Sequence, residues 1–262
     1  MSQDILFDIH EHIATLTLNR PDRLNALLPE MKDAFGEALA RSAEPAVRVL
    51  VLRGAGRAFC AGGDIAWMAT AMAEDRWPDM EALLDLGGSV AYGLAMLPKP
   101  VLAGVQGAAA GAGMSLALGA DLRVATTDAR FSMGFAKIGL HPDWGGSVAL
   151  SRLVNPATAA ELLYLGDALP AEQAKTLGLV NQVVPPEHLD DAIATLAGRL
   201  AAGPSATFAR IKATLLHNQG LDAASLRARL GAEGAQMKAA MHHPDAREGL
   251  AAFLEKRAPK FA

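Results

Sequence analysis

The chain has a single cysteine, Cys60, so it cannot close a disulfide within itself. That thiol also lacks the CxxC or His-x-x-x-His neighbours that metal-ligand spacing requires. Positive charge is not in excess. The 24 Lys and Arg stand against 28 Asp and Glu, a formal net charge of -4, which argues against a general binder of nucleic acid or anionic membrane. No apolar run reaches the roughly 18 residues of a membrane span, and no charged-then-apolar targeting segment opens the sequence. A soluble, cytoplasmic protein without metal or cofactor is expected. What is present is aliphatic surface. With 51% apolar residues over 262 positions, the chain can bury a large core, as one sizeable domain or a domain with a small appendage.

Ile5 to Ile9 and Ile13 to Leu18 alternate apolar and polar residues as a hairpin would, ending at Asn19-Arg20-Pro21. Leu28 to Leu39 has helical spacing, Val47 to Leu52 reads as a β-branched strand, and a helical stretch runs on to Leu97. Val101–Val105 and Leu122–Ala125 read as further buried strands on either side of an apolar helix over Met114–Leu118. This alternation predicts an α/β core with mainly parallel pairing. From Leu189 onward only helical patterns remain, over Leu189–Ala201, Ser205–His217, Ala223–Met241 and Pro244–Arg257. The predicted organisation is an α/β core over 1–186 and a helical C-terminal region over 187–262.

Two glycine-rich stretches, Phe59-Cys60-Ala61-Gly62-Gly63-Asp64 and Gly107-Ala108-Ala109-Ala110-Gly111-Ala112-Gly113, each follow an apolar run. Small residues let backbone approach a ligand closely, and the first N–H groups of a helix have no intrahelical partner. Two such turns can therefore aim donors at one oxygen that gains negative charge, although either turn alone can also be a tight turn without function.

Other motifs fit less well. Gly111-Ala112-Gly113-Met114-Ser115-Leu116 begins like a dinucleotide fingerprint, but Leu116 occupies the third glycine position. Gly113-Met114-Ser115-Leu116-Ala117 approximates a nucleophile elbow, which would make Ser115 a hydrolase nucleophile. The alternative is a small serine packed in a helix.

The two turns, with Leu18-Asn19-Arg20-Pro21, Leu24-Asn25-Ala26, Gly56 to Asp64, Lys99 to Asp121, Gly139 with Pro142 and Gly145-Gly146, and Arg247 to Arg257, resemble the enoyl-CoA hydratase/isomerase (crotonase) superfamily. The resemblance implies a superhelical α/β fold of ββα units with a helical C-terminal region, assembled as a homotrimer or dimer of trimers. It implies an acyl-CoA substrate, with coenzyme A part of that substrate rather than a cofactor. The N–H groups of Gly63 and Ala112 would hold the thioester carbonyl. Arg23, Leu24, Ala26, Ala61, Asp64, Ile65, Phe135 and Lys256, or Arg257 beside it, become candidate substrate contacts.

Where hydratases of the superfamily carry two glutamates that position and deprotonate water, this sequence has Ser115 and Phe135, neither a general base. The remaining carboxylate is Asp143, in Leu140-His141-Pro142-Asp143-Trp144-Gly145-Gly146. This pattern is similar to superfamily members that isomerise a phenylacetate-derived ring-epoxide thioester. Desolvation among Phe131, Phe135 and Trp144 is expected to raise its pKa and suit it to move a proton between carbons. The implied reaction is isomerisation of ring-1,2-epoxyphenylacetyl-CoA or of a 3-enoyl-CoA. Alternatives are hydratase or aromatic dehalogenase chemistry, thioester hydrolysis, or a silent CoA-thioester binding protein. Asp143 can also be read as a helix N-cap before Gly145-Gly146-Ser147.

Overall fold

The alternating N-terminal stretch forms the expected hairpin. In the computed structural model, which describes residues 3–262, β1 (Ile5–His10) pairs antiparallel with β2 (Ile13–Leu18). Helix α1 (Lys32–Ser42) buries Ala34, Phe35, Ala38 and Ser42 along one face. It starts after Leu28 because Pro29 opens a separate 3-10 turn over Pro29–Met31. Strand β3 (Val49–Gly54) then runs parallel to β2. The single helical stretch expected up to Leu97 is two helices, α2 (Ile65–Ala73) and α3 (Trp77–Met96), broken where Asp75 takes a φ of 52°.

The middle of the chain alternates between two sheets. β4 (Val101–Val105) leads to β5 (Ala108–Ala110) and α4 (Ala112–Leu118), and β6 (Leu122–Thr126) leads to β7 (Arg130–Ser132) and then α5 (Gly146–Leu153). After α6 (Pro156–Leu165) come β8 (Leu169–Pro170), α7 (Ala171–Thr176) and β9 (Gln182–Val184). The larger sheet has the order β1-β2-β3-β4-β6-β9 and is parallel from β2 onward. The smaller has the order β5-β7-β8. Each ββα unit thus contributes one strand to each sheet. The second glycine stretch, read from sequence as a plain turn, contains the strand β5 of the smaller sheet.

Because side chains alternate across a strand, the buried parallel strands feed two cores. Val49, Val51, Leu102 and Val124 face Leu189, Ile193, Ala197 and Ala201 of α8 (Leu189–Ala201). Leu50, Leu52, Val101, Ala103 and Val105 face the main core. The last helices are α9 (Ser205–Asn218), α10 (Ala223–His242) and α11 (Pro244–Glu255). Asp121 ties α9 to the sheet, accepting bonds from Val101 N at 2.8 Å and Lys212 Nζ at 2.9 Å. Helix α10 packs on α3 and α11 on α2, so residues distant in sequence return to the glycine turns. Among the described residues no helix is long and apolar enough to cross a membrane.

Candidate active site

The two glycine turns are knitted together through their backbones. Cys60 N donates to Ala108 O at 3.0 Å and Ala110 N to Cys60 O at 2.9 Å, a single parallel bridge along β5. A Cβ at Gly113 would overlap the Cys60 carbonyl, so only glycine lets α4 begin this close to the first turn. On its other side the first turn is held by Leu27, whose N–H donates to Gly62 O at 2.8 Å and whose carbonyl accepts from Asp64 N at 3.1 Å. With its neighbours bonded in this way, the N–H of Gly63 points away from Leu27. Ala112 is the first residue of α4, and its N–H has no carbonyl one turn earlier.

Asn25 fastens this arrangement from below. It is fully buried, with a left-handed φ of 58°, and its Nδ2 donates to the carbonyls of Ala55, Ala58 and Phe59 at 2.9, 2.8 and 3.1 Å. Its Oδ1 accepts from Arg20 N at 2.9 Å. Arg20 in turn bonds Ala26 O and pairs with Asp64 at 3.2 Å.

Gly63, Ala112, Ala61, Ile65, Phe135 and Asp143 line one cavity of about 450 Å³, and Asp143 is the only acidic side chain on its wall among the described residues. The carboxyl is buried, and its Oδ1 has no hydrogen-bond partner. Burial, and next the negative charge of Glu233, hold it well above the usual carboxylate range, against a weaker opposing pull from its own backbone N–H.

The helix-capping reading of Asp143 does not hold. The N-cap of α5 is Gly145, and no side chain of its own first turn caps it. Glu233 takes that place from α10: it accepts from Gly145 N at 2.7 Å, from Ser147 N at 2.9 Å and from Ser147 Oγ at 2.5 Å. Glu233 is buried, and sequence reasoning missed it. Its neighbours Ala232, Gly234 and Ala235 carry no motif, and only the return of α10 over α3 brings it to the loop.

The other candidates divide. Asp64 does not line the cavity; its side chain caps α2 through Trp67 N at 3.2 Å and pairs with Arg20. Ala26 is buried, Leu24 half-buried with a φ of 49°, and Arg23 exposed beside the first turn. Lys256 is exposed at the end of α11, while the adjacent Arg257 lines the cavity and is paired with Glu248 and Glu255. Phe131 lies in the core rather than on the cavity wall. Ser115 is fully buried off the cavity, with its Oγ bonded to Gly111 O at 3.3 Å, as a packing serine would be. Cys60 is buried, and burial pushes its thiol up to about 12.

The family model described as enoyl-CoA hydratase/isomerase matches residues 8–262. The chain belongs to the enoyl-CoA hydratase/isomerase family. It is 40% identical to the 1,2-epoxyphenylacetyl-CoA isomerase of Escherichia coli K12, over 100% of this chain and 99% of that protein. It is 36% identical to a crotonyl-CoA hydratase of Syntrophomonas wolfei, over 99% and 98%. Among solved structures, an enoyl-CoA hydratase from Mycobacterium avium subsp. paratuberculosis K-10 superposes with a TM-score of 0.88 at 31% identity, covering 99% of this chain and 98% of that one. The two-sheet α/β core and C-terminal helices are therefore the crotonase fold of this hydratase/isomerase family.

Proposed function

We propose that this member of the enoyl-CoA hydratase/isomerase family is an acyl-CoA isomerase in which Asp143 is the single acid/base. The N–H groups of Gly63 and Ala112 polarise the thioester carbonyl. The proposed substrates are 1,2-epoxyphenylacetyl-CoA, by analogy with the Escherichia coli relative, or a 3-enoyl-CoA. The observation that carries the reading is that Asp143, buried and with Oδ1 unpartnered, is the only carboxyl among the described residues on the cavity that Gly63 and Ala112 also line.

For a 3-enoyl thioester, Asp143 takes the C2 proton and the electron pair delocalises into a dienolate. Charge collects on the thioester oxygen, where two preorganised donors stabilise it by several kcal/mol, on the order of ~3–4 for one such donor. Returning the same proton to C4 moves the double bond to C2–C3 with no change in composition. For the ring epoxide, the same polarisation with Asp143 promotes rearrangement to a seven-membered oxygen heterocycle. Water addition, which the name of the Syntrophomonas wolfei relative implies, would find no second carboxyl on this cavity among the described residues to position the water.

Assembly as a homotrimer, or a dimer of such trimers, belongs to the same proposal. Exposed Ile211 and Leu215 on α9 and Tyr164 and Leu165 at the end of α6 are apolar surface that such contacts would cover. Incubation with each thioester, followed by chromatography and mass spectrometry, tests the reaction. Isomerisation leaves the mass unchanged, hydration adds one water, and hydrolysis releases a free thiol. Full activity of Asp143→Asn on both substrates would end the proposal.

A further inference from the structure

Trp144 follows the proposed acid/base, and its backbone adopts a φ of 54°, a conformation unfavourable for a bulky residue. Its indole is buried. It stands edge to face with Phe35 of α1 at 5.8 Å between ring centroids, and it lies against Gly87 of α3. A Cβ at Gly87 would come within 2.5 Å of the indole, so α3 gives up a side chain where the ring sits. A strained backbone and a glycine opposite both serve to hold the ring in one place.

That place is a partition. Trp144 lines the cavity shared by Gly63, Ala112 and Asp143, and it also lines a separate groove of about 800 Å³ between α3 and α10. Leu83 faces the first space and the adjacent Leu84 the second. Beyond the indole the groove is roomy, because Gly88 of α3 and Gly231 of α10 each have open space where a Cβ would stand.

We propose that the indole of Trp144 is the far wall of the acyl site and sets the length of acyl group this protein accepts. The wild type takes compact acyl groups, and removing the ring joins the cavity to the α3–α10 groove so that a long chain passes through. This rests on the acyl-CoA reading above.

The test measures Kd by calorimetry for saturated acyl-CoA thioesters from butanoyl to hexadecanoyl, on wild type, Trp144→Phe and Trp144→Ala. Each methylene that finds apolar cover tightens binding about fourfold. Wild-type affinity is expected to rise with length and then stop. The rise should continue by several further methylenes in Trp144→Ala, with Trp144→Phe between them. Adding Gly231→Phe to Trp144→Ala fills the groove from outside and should restore the wild-type limit.

The same length dependence in wild type and the folded variants, or wild-type affinity that rises without limit to hexadecanoyl-CoA, overturns the proposal. If the thioesters bind with the expected limit but neither 3-enoyl nor ring-epoxide thioester is isomerised, the reaction reading fails and the wall stands. Absence of binding at every length overturns both.

Discussion

Glu233 of α10 accepts the N–H groups of Gly145 and Ser147, two and four residues beyond Asp143, and its charge helps hold the buried Asp143 carboxyl in its proton-bound form. One side chain thus positions the loop and tunes the acid. A carboxylate receiving two backbone N–H bonds and a hydroxyl is well satisfied, whereas Asp143 Oδ1 is left without a partner. Glu233 is thus spent on structure, which leaves Asp143 as the carboxyl that the proposed reaction would use.

Glu233→Gln should separate these two effects. Replacing the charge by an amide weakens the bonds to Gly145 and Ser147 and is expected to lower stability by about 1–3 kcal/mol, read by denaturant titration. It also removes a negative charge that raises the Asp143 pKa. The pH-rate limb belonging to Asp143 should therefore move to lower pH, a displacement that a purely structural role for Glu233 would not produce.

Asp143→Asn should abolish isomerisation by roughly a hundred- to ten-thousandfold, the usual contribution of a positioned acid/base. In the wild type, kcat/KM should rise with pH through a titration lying well above the ordinary carboxylate range, because the base form is the ionised one. Stability should run the opposite way. The folded pKa is raised, so the folded state holds the proton more tightly than the unfolded chain, and folding stability falls as pH rises from the unfolded value through the folded one. Asp143→Asn lacks this slope. Its Tm relative to wild type should therefore climb across that window and level off above it, by about 2–4 °C for each kcal/mol relieved.

Asn25→Ala removes a side chain that satisfies three carbonyls and one N–H beneath the first glycine turn. Loss of this buried network, at a position with left-handed φ, is expected to cost about 2–4 kcal/mol in chemical denaturation. Leu27 and Gly62 remain paired, so the effect should appear as lower stability and slower turnover rather than a changed reaction.

Cys60 should not react with an aromatic disulfide reagent at neutral pH in the native state, since the thiol is buried and pushed up to about 12. One thiol per chain should appear when the protein is unfolded in guanidinium. Rapid native labelling would contradict the packing of the two glycine turns around Cys60.

Much of this was legible in the residues. Alternation at Ile13–Leu18, the buried run at Val101–Val105 and the helical spacing of Leu189–Ala201 determine their own local structure, because periodicity reports which faces must leave water. The glycines of both turns and Asp143 could likewise be picked out in the chain. The short strands of the smaller sheet could not. Ala108–Ala110 has no intrinsic preference for a strand and becomes one only because Arg130–Ser132 and Cys60 supply its partners.

What sequence by itself determined is the set of local elements and the chemical groups they carry, since backbone preference and hydrophobic period act over a few residues. What only the tertiary structure decided is which groups meet: Glu233 with the loop after Asp143, Gly87 with the indole of Trp144, Asp121 with Lys212. These contacts join residues far apart in the chain: α10 and α9 fold back to bring Glu233 and Lys212 to their partners, and the loop before α5 packs its indole on α3, each burying apolar surface on the core, a requirement that no single segment records.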